Sequence, residues 1–309
     1  MAPWNQPIFD ALMRNAARLP HALLIHGARG VGKLALAEQL AQALLCEHAA
    51  RRPCGSCDAC RWFTAGNHPD FRRLEPEILW KEQVEEEGTA ERKRKPSLEI
   101  KIDQVRELAV FLNTKSHRGA RRIALIHAAE DMNENAANAL LKALEEPPGS
   151  AMFILVSHRP AQLLATVRSR CTAVGVPIPA RKEALKWLEG QGIKEAGRWL
   201  AFAGGAPLRV LQYATDASTW DRLVHSPAPV DAREEVRSTL EALQKTAIDH
   251  AMAGFGLSPK YGTVGKTKVS SPRAWLAYAR LMGQESLLVD HPLGPKLFTA
   301  QLLAGRPKG

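Results

Sequence analysis

Residues 21–40, HALLIHGARGVGKLALAEQL, constrain the fold more than any other part of the chain. Residues 21–27 form a short apolar run that ends in glycine and is typical of a buried strand, and residues 33–46 repeat leucine and alanine at helical spacing. Between them, Gly27, Gly30, Gly32 and Lys33 fit the phosphate-binding pattern G-x-x-x-x-G-K-[ST] up to its lysine. A strand, a glycine-rich turn and a helix in this order predict an α/β domain built around a phosphate loop.

The alternation of strand and helix patterns continues beyond this motif. Buried strands are predicted at 121–127 and 151–157, and amphipathic helices at 102–113 and 133–146. Strands that alternate with helices form a parallel sheet. We therefore expect residues 1–175 to form one α/β phosphate-loop domain with a parallel sheet.

The rest of the chain has helical patterns only. We expect a small helical domain at 176–213 and a larger all-α domain at 214–309. The longest helix is predicted at 231–255, where apolar residues such as Val236 and Leu240 keep a helical period.

Charge and length give weaker constraints on function. The chain has 309 residues and a net charge of +10, and 254–309 holds 8 Lys and Arg against 2 Asp and Glu. A basic excess fits either an anionic partner such as nucleic acid or a solvated surface.

Because the opening residues lack a signal-peptide pattern and no apolar run reaches membrane-spanning length, a cytoplasmic protein is expected. The charged segment 77–95 is predicted to be an exposed insertion, and no function is assigned to it.

Two positions that hold magnesium in phosphate-loop ATPases are changed in this chain. Leu34 stands where the pattern has a hydroxyl, and the later strand ends at His127 where an acidic residue is expected. Glu130 and Asp131 follow three and four residues later, where they are too far along the chain to replace it without displacement. The sequence predicts a site that does not hydrolyse ATP, although the retained Lys33 leaves nucleotide binding open.

Four of the five cysteines are clustered with the spacing C-x7-C-x2-C-x2-C, at Cys46, Cys54, Cys57 and Cys60. Closely spaced thiols in a reducing compartment favour a metal over disulfides, and zinc prefers four thiolates. With no open coordination position the site is expected to be structural, within a small module at 46–62. A redox role or free thiols are the alternatives.

Two longer strings carry a resemblance to a known family. NALLKALEEPP (138–148) and FILVSHRPAQLLATVRSRC (153–171) resemble the clamp-loader branch of the AAA+ ATPases. The cysteine module after the phosphate-loop helix is similar to that of the bacterial DNA polymerase III motor subunit and its relatives. With its degenerate loop, the chain looks most like a clamp-loader subunit that does not hydrolyse ATP. Motifs carry the resemblance to about residue 175, and beyond 213 it depends on helical character alone.

The resemblance implies specific roles. Arg170 matches the arginine finger that such subunits insert into the ATP site of a neighbouring motor subunit, with a plain surface arginine as the alternative. Ser157 matches a sensor position, and Arg209 matches a second sensing arginine or is a residue of a helix surface. The domain at 176–213 corresponds to a lid and the one at 214–309 to an oligomeric collar.

The implied partners are motor subunits of the gamma/tau type and a delta-type subunit, and through the complex the sliding clamp and primed DNA. Two other functions remain open from the sequence. The first alternative is an active ATPase subunit with displaced metal ligands, and the second is a zinc-stabilised DNA-binding module on a phosphate-loop scaffold.

Overall fold

A computed structural model describes residues 1–81, 97–114, 116, 121–264, 271–286, 288 and 294–307. The chain divides into two compact units, Met1–Ile178 and Pro179–Gly309. The further division of the second unit near residue 213 stays a prediction. Residues 82–95 of the charged segment lie outside the described residues, as do parts of the basic C-terminal region.

The first unit contains a five-stranded sheet in the order β2-β3-β4-β1-β5, and every strand pair in it is parallel. The strands are β1 Ala22–His26, β2 Phe71–Leu74, β3 Arg122–His127, β4 Ala151–Ser157 and β5 Thr172–Gly175. All seven residues of the central strand β4 are buried, as expected for a parallel sheet that is covered on both faces. The predicted α/β fold class is thereby confirmed.

The helices of this unit occupy the stretches between the strands. They are α1 Gln6–Arg14, α2 Lys33–Leu45, α3 Asp58–Thr64, α4 Glu77–Lys81, α5 Ile102–Asn113, α6 Glu134–Glu145 and α7 Ala165–Ser169. Residues from α5, α6 and α7 pack with alternate residues of β1, β3 and β4, such as Leu24, Ile126 and Phe153, in one core cluster. Alternation along each strand directs the intervening residues to the opposite face of the sheet.

Strands β2 and β5 were not predicted from the sequence. Each has only four residues, FRRL and TAVG, and neither shows an apolar run. Both lie at the edges of the sheet, where only one side of a strand is paired. A short edge strand needs less apolar character than a central one, so its hydrophobic pattern is weak.

Helices are the only regular secondary structure among the described residues of the second unit. Its helices are α8 Arg181–Gly190, α9 Ala196–Phe202, α10 Pro207–Thr215, α11 Ala217–His225, α12 Arg233–Gly254, α13 Pro272–Glu285 and α14 Pro295–Ala304. Ala242 of α12 belongs to a core cluster with residues of α8 to α11. Leu240 and Leu243 of the same helix belong to a second cluster with α13 and α14, so α12 serves both cores. Within the described residues, no helix is both long and apolar enough to cross a membrane.

A charged network joins α10 to α12 in this unit. Arg209 donates to both carboxylate oxygens of Glu241, at 2.6 and 2.5 Å, and the hydroxyl of Tyr213 donates to the same carboxylate at 2.7 Å. Lys245 also pairs with Glu241, and its ammonium lies 4.1 Å from the ring centroid of Phe202. Arg209, compared above with a sensing arginine, is thus a tie between two helices.

Replacing Glu241 by glutamine is expected to lower the free energy of unfolding by about 3 kcal/mol. Burial would raise the pKa of Glu241, but the charges of Lys245 and Arg209 outweigh it and hold this pKa at about 2, against an ordinary 4.5. The stabilisation is therefore complete above the ordinary value and is lost as pH falls through the folded value. Urea unfolding at about pH 7 and about pH 2.5 should show wild type and variant converging in acid.

The exposed Glu235 on the same helix supplies the matched control. Its replacement by glutamine should change stability by less than about 0.5 kcal/mol. Equal stability of the Glu241 variant and the wild type near neutral pH would contradict the assignment of the network as a stabilising tie.

Candidate functional site

The phosphate loop lies between β1 and α2, and its glycines have backbone conformations that other residues avoid. Gly27, Gly30 and Gly32 have φ angles of 152°, 84° and 87°. A Cβ atom at Gly27 would lie 2.2 Å from the carbonyl oxygen of Val176, so a side chain at this position clashes with backbone. The glycines therefore serve the tight connection of strand to helix, whether or not a phosphate is bound.

The lysine of the loop is directed at the loop itself. The ammonium of Lys33 donates to the carbonyl oxygens of Gly27 at 2.8 Å and Ala28 at 2.6 Å. The residue is only 2% exposed, and this burial lowers the pKa of Lys33 to about 8. The cationic group of the cradle is thus engaged with main-chain oxygens in this structure.

Two N-terminal residues brace the loop from outside. The indole of Trp4 donates to the carbonyl of Val31 at 2.9 Å, and the amide of the buried Asn5 donates to Val31 at 3.0 Å and Gly32 at 3.2 Å. Sequence reasoning did not find this brace, because more than twenty residues separate each donor from its acceptor. The loop is thereby held by contacts within this chain.

The carboxyl end of β3 carries no acidic group. His127 ends the strand, and its ring meets that of His158 edge to face at 5.4 Å. Burial is the main cause that lowers the pKa of His127 to about 4 and that of His158 to about 3, and the nearby ammonium of Lys33 lowers both further. Both rings are therefore neutral near pH 7, and the strand end offers neither the hydroxyl nor the carboxylate that magnesium prefers.

Glu130 lies in a short 3-10 turn, Ala129–Asp131, that follows β3. One of its carboxylate oxygens accepts hydrogen bonds from the backbone N–H groups of His158 at 2.9 Å and Arg159 at 3.1 Å. The hydroxyl of the fully buried Ser157 also accepts from the N–H of Arg159, at 3.2 Å. Both side chains hold the turn after β4 in place.

Arg170 lies directly after α7, at the turn that leads into the edge strand β5. Its Nη1 donates to the carbonyl of Thr166 at 2.9 Å, its Nη2 pairs with the carboxylate of Glu145, and the side chain is 34% exposed. Arg168 donates to the carbonyl of Pro160 at 3.2 Å. The corner formed by Arg168 to Cys171 therefore presents a partly exposed guanidinium, and groups of the same chain hold it in place.

Cys171 is the remaining member of this corner. It packs against the core cluster of the α/β unit, and burial raises its pKa to about 11. A thiol with such a pKa stays protonated near neutral pH and is a poor nucleophile. Cys171 is thus suited to packing.

The four clustered cysteines come together in space. Cys46 follows the end of α2, Cys57 caps the start of α3, and all four sulfur atoms lie within 4.8 Å of one another. The Cys46–Cys57 and Cys54–Cys60 sulfur pairs are 4.0 and 3.9 Å apart. A tetrahedron with metal–sulfur bonds of about 2.3 Å has edges of about 3.8 Å, so the arrangement could hold a metal ion.

The surroundings of the cluster fit thiolate ligands. Backbone N–H groups of Cys54, Cys57 and Cys60 donate to neighbouring sulfur atoms at 3.3–3.4 Å. Hydrogen bonds from Ser56 lower the pKa of the Cys54 thiol to about 5, whereas burial raises the pKa of the Cys60 thiol to about 12. Donors directed at sulfur stabilise the deprotonated form that a metal requires.

Known proteins match this chain over more than half of its length. A family described as DNA polymerase III, delta subunit, matches residues 7–179. DNA polymerase III subunit delta' of Pseudomonas aeruginosa is 41% identical over 211 residues, which are 67% of this chain and 59% of the relative. Subunit delta' of Escherichia coli is 34% identical over 219 residues, 68% of this chain and 60% of the relative. The matched stretch thus spans about three fifths of these relatives.

A solved structure is similar over a longer range but at lower identity. A DNA polymerase III gamma subunit-related protein from Thermotoga maritima is 18% identical, with 96% of this chain and 97% of the other covered and a TM-score of 0.49. Similarity at that level carries no inference about activity or partners.

Proposed function

The chain belongs to the DNA polymerase III delta subunit family, and from this premise we propose that it is a non-hydrolysing subunit of a bacterial replicative clamp loader. The family resemblance inferred from residues 138–171 is thereby confirmed. In the proposed complex the chain lies beside a motor subunit and supplies Arg170 to the ATP site of that neighbour. The complex uses ATP to place a sliding clamp on primed DNA.

One observation carries the proposal. The same unit lacks the two metal-binding groups of an ATPase, at Leu34 and His127, and presents a partly exposed arginine at the turn before an edge strand. A unit of this kind is unsuited to hydrolysing its own nucleotide, yet its guanidinium can reach an anion on another protein. The planar fork of arginine stays charged and neutralises charge that develops on a transferred phosphoryl group.

The remaining parts have supporting roles in the proposal. Zinc, held by Cys46, Cys54, Cys57 and Cys60, fixes the end of α2 to the start of α3 and takes no part in chemistry. The helices after residue 179 serve as lid and collar, through which the chain assembles with gamma/tau-type and delta-type subunits in the cytoplasm. The network around Glu241 ties α10 to α12. In the proposal this tie keeps the two helices in one arrangement, so that the chain acts as a rigid partner.

The test is a comparison of the purified chain with the reconstituted complex. The chain alone should hydrolyse ATP no faster than background in the presence of magnesium, and omitting it from the mixture should abolish the clamp- and DNA-stimulated turnover of the others. Magnesium-dependent turnover by the chain alone would instead support the ATPase alternative. Tight, salt-sensitive binding of the isolated chain to primed DNA would support the DNA-binding alternative.

A further inference from the structure

Arg170 has two partners within its own chain, and both engage the end of its guanidinium group. Nη1 donates to the carbonyl oxygen of Thr166 and Nη2 pairs with Glu145, the last residue of α6. The pair joins the ends of two helices, α6 and α7, that pack in the same core cluster. The fold of the α/β unit therefore sets the position of the Arg170–Glu145 pair.

This arrangement conflicts with direct use of the fork by a phosphate. Bidentate recognition of a phosphoryl group uses two adjacent N–H donors of the guanidinium, as recognition of a carboxylate does. The carboxylate of Glu145 already pairs with Nη2 of Arg170. A carboxylate has the same sign of charge as a phosphate, and its oxygens are arranged in a similar way to two phosphate oxygens. A carboxylate and a phosphate that seek the same donors compete for them.

A phosphate can displace Glu145 from Arg170 because this ion pair lies at the surface. The side chains of Arg170 and Glu145 are 34% and 49% exposed. Exposed ion pairs are weak, since water solvates the separated charges well and salt screens their attraction. An incoming polyphosphate with a higher charge can therefore displace the carboxylate at little cost.

We infer that Glu145 is the resting partner of Arg170, holding the guanidinium fork against the chain until the terminal phosphate of a nucleoside triphosphate on the neighbouring subunit displaces it. The inference rests on the proposed function, since it takes Arg170 as the residue that reaches that phosphate. It adds a residue, Glu145, that sets how much ATP is needed to engage the finger. Glu145 is a positioning residue, because it acts through Arg170 alone.

The experiment measures ATP turnover of the reconstituted complex against ATP concentration, with the chain as wild type, Glu145→Gln, Arg170→Ala or both. Glu145→Gln should lower the KM for ATP by about twofold to fivefold, the range expected for an exposed ion pair, and leave kcat nearly unchanged. The double variant should behave as Arg170→Ala does, because the carboxylate has no effect without its arginine.

Glu146 supplies a matched control at the next position. It is also exposed and has no ion pair with Arg170 among the described residues. Glu146→Gln removes the same charge without removing a partner of Arg170. It should therefore leave the KM for ATP within the error of the wild type. An equal fall in KM for both glutamine variants would mean a general effect of charge and would overturn the inference, as would an unchanged or raised KM in Glu145→Gln.

Failure of the two proposals can be told apart. Unchanged turnover in Arg170→Ala contradicts the proposed function, whereas lost turnover with no effect of Glu145→Gln contradicts only the resting-partner role. The free chain gives a separate readout, because NMR reports the rotation of the Arg170 guanidinium. Rotation should be faster in Glu145→Gln than in wild type, and equal rates would overturn the inference whatever the turnover shows.

Discussion

Replacing Arg170 by alanine is expected to lower ATP turnover of the reconstituted complex by about 10³-fold, or about 4 kcal/mol in the activation free energy. The guanidinium stabilises charge that develops on the phosphoryl group in the transition state, and the methyl group of alanine supplies no such charge. The loss should therefore appear in kcat as well as in kcat/KM. Clamp- and DNA-stimulated phosphate release is the measurement.

Arg168 offers the control for this substitution. It lies two residues earlier, is also exposed, and donates to the carbonyl of Pro160. Arg168→Ala should leave turnover within about twofold of the wild type, which separates a finger from a general effect of basic charge at the corner. Gel filtration must show that both variants assemble, since loss of the complex would also abolish turnover. Full turnover with Arg170→Ala would leave the chain as a purely architectural subunit.

Replacing Cys57 by serine is expected to abolish metal binding and to unfold the small module at 46–62. Structural zinc contributes on the order of 10 kcal/mol to the folding of small modules, whose apolar core is too small to hold them alone. Elemental analysis should find one zinc ion per wild-type chain and none in the variant. Limited proteolysis should cut the variant between α2 and α3 while the sheet unit stays intact.

The fifth cysteine provides the comparison. Cys171 lies away from the cluster and packs against the core of the sheet unit. Cys171→Ser should keep the zinc content of the wild type, although the buried hydroxyl costs about 1–2 kcal/mol of stability. A wild-type chain that is purified without metal and resists proteolysis equally would contradict the structural zinc site.

The elements that the sequence predicted well are those with a strong local pattern. Strands β1, β3 and β4 and helices α2, α5 and α6 were each expected within one or two residues of their observed bounds. These strands are central and buried, so nearly every position had to be apolar. Helix ends were also marked locally, as where Pro147 and Pro148 follow α6.

The candidate site was only partly visible in the sequence. The four cysteines are near neighbours along the chain, so their spacing alone predicted a cluster that the fold brings together. Leu34 and His127 were recognised because a motif specifies which residue each position needs. Arg170 was found by resemblance, and its assignment as a finger stays a prediction.

The sequence by itself determined the central buried strands β1, β3 and β4, the helices α2, α5 and α6 between them, and which groups of the ATP site are missing. Each of these is recorded in local periodicity or in a short motif. Only the tertiary structure decided that Arg170 pairs with Glu145, that Glu130 holds the backbone of His158, and that Arg209 binds Glu241. Polar groups far apart in the chain meet only where packed elements bring them together, and no local pattern encodes that distance.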